Sequence, residues 1–318
     1  MVKESDNKPC LAIVVPCYNE SPVLEQTTER LLAVLEGMSE AVSPGSRILY
    51  VDDGSHDATW DVIAQLHGRD RRIAGISLAS NSGHQNALMA GLATAARFAD
   101  LIVTIDADLQ DDETVINDMV RLAQKGNDIV YGIRRSRASD TWFKRTTAQS
   151  FYRIMSCLGA KTVYNHADYR LMTLRAARTL LCYEERNLFL RGLIPLLGYR
   201  TAQVNYDRKE RQAGESKYPL AKMLGFAFEG ITSFSMSLVH MVLWLGVLFL
   251  LIAMGISIWV ATCLLLKKAI TGWASLILSV WFCSGCILIG LGIVGEYVGK
   301  IYMEVKRRPR YNIKDERL

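Results

Sequence analysis

Between Met236 and Leu266 the chain carries no Asp, Glu, Lys or Arg, and a second uncharged run extends from Ala269 to Gly295. Each exceeds the roughly 20 apolar residues that cross a bilayer core of about 30 Å, so the sequence predicts two transmembrane helices within 236–299. At these lengths a buried helix pair in a soluble protein is the weaker reading. Residues 1 to about 215 have the mixed composition of a soluble α/β domain, with the length of a catalytic unit. Met1 to Lys8 is short and polar, which predicts that this domain stays in the cytosol. Two spans return the C-terminus to the same side. The segment 300–318 reads as a basic tail with Lys300, Lys306, Arg307, Arg308, Arg310 and Lys314, against only Lys267 and Lys268 between the spans. That asymmetry is the one the positive-inside rule expects. The net charge of +5 follows basic residues beside the membrane segments, pointing to anionic lipid rather than nucleic acid. Seven scattered cysteines suggest no disulfide framework, and Cys283-x-x-Cys286 lies inside the second apolar run.

In the soluble part, apolar runs alternate with helical patterns. Leu11 to Pro16, Ile48 to Val51, Ile73 to Leu78, Ile102 to Ile105 and Ile129 to Tyr131 read as buried strands. Helices are predicted from Ser21-Pro22 to about Glu40, from Asp57 to about Leu66, over Ala87 to Arg97, and from Glu113 to Gln124, with Ser21 and Asp57 as caps. The alternation implies βαβ units and a mostly parallel sheet. No Gly-x-Gly-x-x-Gly follows the first strand and no Walker-type loop occurs, which argues against a dinucleotide oxidoreductase or a P-loop NTPase.

Three predicted strands end in polar groups: Tyr18 to Glu20, Asp52 with Asp53, and Asp106 with Asp108. In an open α/β sheet ligands bind beyond the carboxyl ends of the strands. Two carboxylates one residue apart repel each other unless a cation lies between them. A divalent ion carrying diphosphate oxygens suits them, since magnesium is commonly held by one or two carboxylates plus substrate phosphates.

Pro16-Cys17-Tyr18-Asn19-Glu20, Val51-Asp52-Asp53-Gly54-Ser55 and Asp106-Ala107-Asp108-Leu109-Gln110-Asp111, in this order, resemble the family-2 glycosyltransferases of GT-A type. Asp168-Tyr169-Arg170-Leu171-Met172, Glu185-Arg186-Asn187-Leu188-Phe189, Ala213 to Tyr218 and Glu229 to Ser235 resemble the polyprenyl-phosphate branch of that family. Within that branch the two C-terminal spans match the bactoprenol glucosyltransferases more closely than the dolichol-phosphate mannose synthases. Asn81-Ser82-Gly83-His84 departs from the aromatic or Arg-containing loop of many relatives. The resemblance implies a GT-A, Rossmann-like α/β domain, an inner (plasma) membrane location with both termini cytoplasmic, and inverting transfer of a hexose to undecaprenyl phosphate. UDP-glucose is the donor it favours. GDP-mannose, another UDP-sugar, or a processive polysaccharide synthase are the alternatives. The last would carry a Gln-x-x-Arg-Trp motif, which is missing from this sequence.

The resemblance places Pro16, Tyr18, Asn19, Glu20, Asp52, Asp53 and Asp106 at the nucleotide sugar, with Tyr18 able to stack on the base and Asp52 or Asp53 able to accept from it. Asp106, Asp108 and Gln110 are the expected ligands of Mg²⁺ or Mn²⁺, with Asp108 also counted as catalytic. Asp168 is the expected base or acceptor-positioning carboxylate, although pairing with Arg170 alone would also account for it. Arg134 follows a strand and can meet a phosphate with its planar fork, while Arg208, Arg211 and Lys217 lie on a Gly-containing loop and could close over phosphates. Two stretches, 142–158 and a juxtamembrane segment at 216–235, have the amphipathic spacing of interfacial helices. Gly285, Gly290, Gly292 and Gly295 would let a span pack closely, leaving a homo-oligomer open.

Overall fold

The computed structural model describes residues 8–108, 110–134, 166–186, 188–207 and 272–318, with isolated positions between 242 and 266. The chain divides into two units: one takes in the sheet and the C-terminal residues from Arg308 onward, and the other includes Leu220–Arg307.

The first unit is built on an eight-stranded sheet in the order β7-β5-β6-β4-β1-β2-β3-β8. The strands are β1 (Leu11–Cys17), β2 (Arg47–Asp52), β3 (Ile73–Leu78), β4 (Leu101–Thr104), β5 (Ile129–Arg134), β6 (His166–Thr173), β7 (Thr201–Tyr206) and β8 (Ile313–Arg317). The expected α/β, mostly parallel sheet is present. β1 to β4 are parallel, β5 and β7 are parallel to each other, and only β6 and β8 run against their neighbours. β1, β2 and β3 are buried along almost their whole length, as continuous apolar strands covered on both faces must be.

The covering helices are α1 (Leu24–Gly37), α2 (Thr59–Arg69), α3 (His84–Ala95), α4 (Ile116–Gln124, entered through a 3₁₀ turn at Glu113–Val115), α5 (Leu174–Leu181) and α6 (Leu190–Leu196). Two glycines set how closely they approach the sheet. A Cβ on Gly91 of α3 would lie 2.3 Å from Val14 Cγ1, and one on Gly75 of β3 would lie 2.5 Å from Ile63 Cγ2 of α2. Any larger residue would lift a helix off its strand.

Several boundaries differ from the sequence reading. Ser21 does not cap α1, which begins at Leu24 without a side-chain cap; its hydroxyl donates instead to Asp57 Oδ2 at 2.7 Å. Asp57 is not the cap of α2 either: that position is Ala58, although Asp57 accepts the Thr59 N–H at 3.0 Å. The segment 300–318 is not a free tail. Lys300 to Lys306 continue an apolar helix, and Ile313–Arg317 pairs antiparallel with β3 as an edge strand. Strong alternation of charge along Ile313-Lys314-Asp315-Glu316-Arg317 hid that strand, although charge is how natural sheets protect an edge.

In the second unit, α7 (Trp273–Lys306) contains one stretch, Gly285–Lys306, long and apolar enough to cross a membrane; it is the one such helix among the described residues. Most of the first apolar run lies outside the described residues, as do the segments 142–158 and 216–235. Where the two runs can be compared, a Cβ on Gly290 would come 3.1 Å from Val242 Cγ1, so a small residue marks their contact. The described cysteines are free thiols.

Candidate active site

β1 and β4 hold register only as far as Val14 and Thr104, and the Ile105 N–H makes the last bond, to the Val14 carbonyl. Beyond that point the strands part. Pro16, which has no N–H to offer a neighbour, sits in this stretch and pairs on its other side with Val51 of β2. The parting opens the crevice expected at the carboxyl ends of the strands, and Asp106 and Asp108 follow directly from β4 into it.

On the β1–β2 side the loops are locked by side chains. Asn19 adopts φ 56, donates its N–H to Ser55 Oγ at 2.9 Å and accepts from His56 N at 2.9 Å. Glu20 is fixed through its N–H on Thr59 Oγ1 at 3.0 Å. Tyr18 is 42% exposed, its ring edge-on to His56 at 6.3 Å, which leaves aromatic surface for a flat ligand. Asp52 accepts from Ser77 Oγ at 2.8 Å and Ser55 N at 3.0 Å, and Asp53 from Ser82 N at 2.7 Å and Gly83 N at 2.9 Å. A carboxylate has about four acceptor positions, so each keeps capacity for a base N–H. Burial raises the Asp53 pKa against those two amide bonds. Asp53 therefore also shapes the loop that delivers His84.

Asp106 is pushed up to about 6, first by burial and then by Asp168, Asp111 and Asp108, with His84 opposing. Asp108 accepts the Gln110 N–H at 3.2 Å, and Gln110 is buried beside it. Among the described residues no group of three or more His, Cys, Asp or Glu side chains converges as a ready-made metal cage. Two carboxylates and an amide oxygen still suit a hard divalent cation that takes its remaining ligands from phosphate and water. The donor set fits Mg²⁺ or Mn²⁺.

β6 lies beside β4, and Thr104 Oγ1 donates to the Asp168 carbonyl at 2.6 Å, bringing Asp168 level with Asp106. His84, the first residue of α3, stands between them, its Nε2 3.8 Å from Asp106 and 3.6 Å from Asp168. Burial disfavours the charged imidazole, but the two carboxylates outweigh it and raise its pKa. Asp168 also meets the fully buried Arg170 and, at 3.0 Å, Arg191 of α6. Burial would raise its pKa; His84, Arg170 and Arg191 overcome that and hold it well below the usual carboxylate range. A carboxylate held so low is a poor proton acceptor at neutral pH.

Arg134 lies in a network with Asp111, at 3.3 Å, and Tyr206, at 3.2 Å, while Tyr206 donates to Asp111 at 2.6 Å. The structure thus ties Arg134 to Asp111 rather than to Asp168. Arg208, Arg211 and Lys217 lie outside the described residues. His84 and Arg191 were not among the residues expected here. Their one sequence signal was the departure at Asn81 to His84.

A family model for glycosyl transferase family 2 matches residues 12–181, which takes in Tyr18, Asp52, Asp53, Asp106, Asp108 and Asp168. The chain belongs to glycosyl transferase family 2. It is 52% identical over 311 residues to the uncharacterized glycosyltransferase YkoT of Bacillus subtilis (strain 168), covering 96% of this chain and 92% of that one. It is 35% identical over 306 residues to a prophage bactoprenol glucosyl transferase homolog of Escherichia coli (strain K12), covering 96% and 98%. The bactoprenol glucosyl transferase of Shigella phage SfV is 35% identical over 309 residues, covering 96% and 99%. This family-2 enzyme is therefore a glycosyltransferase with the GT-A, Rossmann-like fold.

Proposed function

We propose that this glycosyltransferase moves glucose from UDP-glucose to undecaprenyl phosphate at a membrane surface, inverting the anomeric centre. The observation that carries the reading is the meeting of Asp106 and Asp168 at the ends of adjacent strands. It stands in a chain that aligns over 96% of its length with proteins named bactoprenol glucosyl transferase.

Tyr18 offers a face for the base, and Asp52 or Asp53 an acceptor for its N–H. Asp106, Asp108 and Gln110 would hold Mg²⁺ or Mn²⁺, which when bound stabilises charge on the departing diphosphate as a Lewis acid. Asp168, fixed by Arg170 and Arg191, orients the incoming group. An acceptor phosphate oxygen is already anionic at neutral pH, so it forms the new bond to the anomeric carbon without surrendering a proton. The bond from that carbon to the diphosphate oxygen breaks as the nucleoside diphosphate leaves. That chemistry asks for alignment more than for a base, in keeping with the low pKa of Asp168. The apolar helix α7 and the uncharged run before it would anchor the enzyme by two spans, the catalytic unit on the cytoplasmic side.

The test is transfer from a panel of radiolabelled nucleotide sugars to undecaprenyl phosphate by the purified full chain, with Mn²⁺, with Mg²⁺ and with chelator. Chelator-sensitive label in the lipid phase from UDP-glucose alone is the expected result. Label from another donor would replace the sugar, and label only in polymer would overturn the acceptor.

A further inference from the structure

Three nitrogen-bearing side chains gather at Asp168: Arg170 and Arg191 both bind this one carboxylate, and His84 faces it as well. His84 also faces Asp106, at the residues read above as the metal site. Arg170 is 1% exposed, and its Nε and Nη1 have no hydrogen-bond partner among the described residues. Buried donors left unmet are costly, and a guanidinium is matched best by a doubly oxygenated anion.

The cluster is also held in place before any ligand arrives. Gln85 Oε1, one residue after His84, accepts the N–H of Leu190, one residue before Arg191, at 2.8 Å. That bond ties the first turn of α3 to the first turn of α6. Asp168 meets Arg191 through its Nε and Nη2, at 3.4 and 3.0 Å, which fixes the plane of the guanidinium. Binding here would cost little in ordering.

We propose that Arg191 and His84, braced by Asp168 and Arg170, form a phosphate-binding subsite of the active site. This deepens the function proposed above and rests on it for the identity of the ligand. The chemistry is that of a phosphate oxyanion, which the donor diphosphate and the acceptor phosphomonoester both present. Arg191 supplies charge and a planar fork, His84 a ring N–H.

Binding separates the sources without requiring turnover. UDP affinity is measured by titration calorimetry in the presence of Mn²⁺. Undecaprenyl phosphate affinity is measured in detergent against undecaprenol, which lacks the phosphate. Arg191→Ala and His84→Asn are compared with the wild-type full chain, and Arg191→Gln replaces Arg191→Ala if the latter does not fold. Removing a charge-assisted hydrogen bond should weaken the phosphate ligand about 10- to 100-fold. Weakened UDP with unchanged lipid affinity assigns the subsite to the donor. Lost preference for undecaprenyl phosphate over undecaprenol, with unchanged UDP, assigns it to the acceptor. Unchanged affinity for both in folded variants would overturn the subsite. A wild-type enzyme that binds these ligands but moves no sugar would overturn the proposed reaction and leave the subsite standing.

Discussion

Asp106 and Asp168 stand on either side of one histidine, yet their surroundings push them in opposite directions. The β4 side is acidic and short of cations, so Asp106 is driven up to about 6. The β6 side is rich in arginine, so Asp168 is driven well below the ordinary carboxylate value. Two carboxylates of the same type are thereby shifted apart, which in the function proposed above suits one to a cation and the other to holding cationic side chains in position. The difference arises from strand order. β6 enters the sheet antiparallel next to β4 and carries Arg170 against Asp168, whereas the carboxyl ends of β1 and β2 carry Tyr18, Glu20, Asp52 and Asp53.

The largest effect should come from the acidic side. Asp106→Ala or Asp108→Ala should lower transfer by about 10³-fold or more, the loss of several kcal/mol of charge stabilisation. Each variant should still unfold in a single cooperative transition; a fully active double variant would remove the acidic side from the mechanism. On the basic side, Asp168→Asn should cost both activity and stability. It strands the buried Arg170, a change worth about 3–5 kcal/mol, and a loss of alignment should lower kcat by about 10²-fold. Calorimetry and single-turnover kinetics would read the two together, and a stable, active Asp168→Asn enzyme would break the contrast.

The pH dependence of stability sharpens the contrast further. Asp106 has its folded pKa raised, so the unfolded chain releases the proton first, and its contribution to stability is lost as pH rises from about 4 to about 6. Asp168 has its folded pKa lowered, so its contribution is present above the unfolded value of 3.8 and is lost as pH falls below it. Metal-free Asp106→Asn should therefore melt higher than wild type at pH 7, the gap closing toward pH 4. The deficit of Asp168→Asn should instead shrink only in stronger acid. Parallel melting curves across this range would contradict the opposed surroundings. The smallest effect is at Gln110. Gln110→Ala should weaken Mn²⁺ activation about 10-fold while leaving UDP affinity without metal unchanged.

Much of the acidic side could be read from the chain, because each element there is local: an apolar strand running directly into its own functional residue. Ile73–Leu78 has the bounds read for it, Asp53, Asp106 and Asp108 follow strand ends, and Asp52, read as the start of an exit loop, is instead the last residue of β2. The basic side was much less legible. His84, Asp168 and Arg191 are joined only when β6 lies beside β4 and α6 returns to α3, and no spacing along the sequence encodes that neighbourhood. Arg134 illustrates the same limit. A planar fork after a strand suggests a phosphate, and nothing in the spacing along the chain shows that Asp111 and Tyr206, distant in sequence, also meet its guanidinium. β8 was missed for a different reason: a charged edge strand lacks the apolar alternation that marks a strand with a buried face.

That eighth strand also sets an order of events during biosynthesis. It lies after α7 in the chain, so the ribosome makes the apolar helix before it makes the strand that completes the sheet. Through that interval β3 is an open edge, with its Gly75 to Leu78 backbone unpaired on one side. Open edges invite pairing with other chains. Synthesis of α7 and closure of the catalytic sheet are consequently successive events, and a chain cut short within α7 would leave the sheet one strand short.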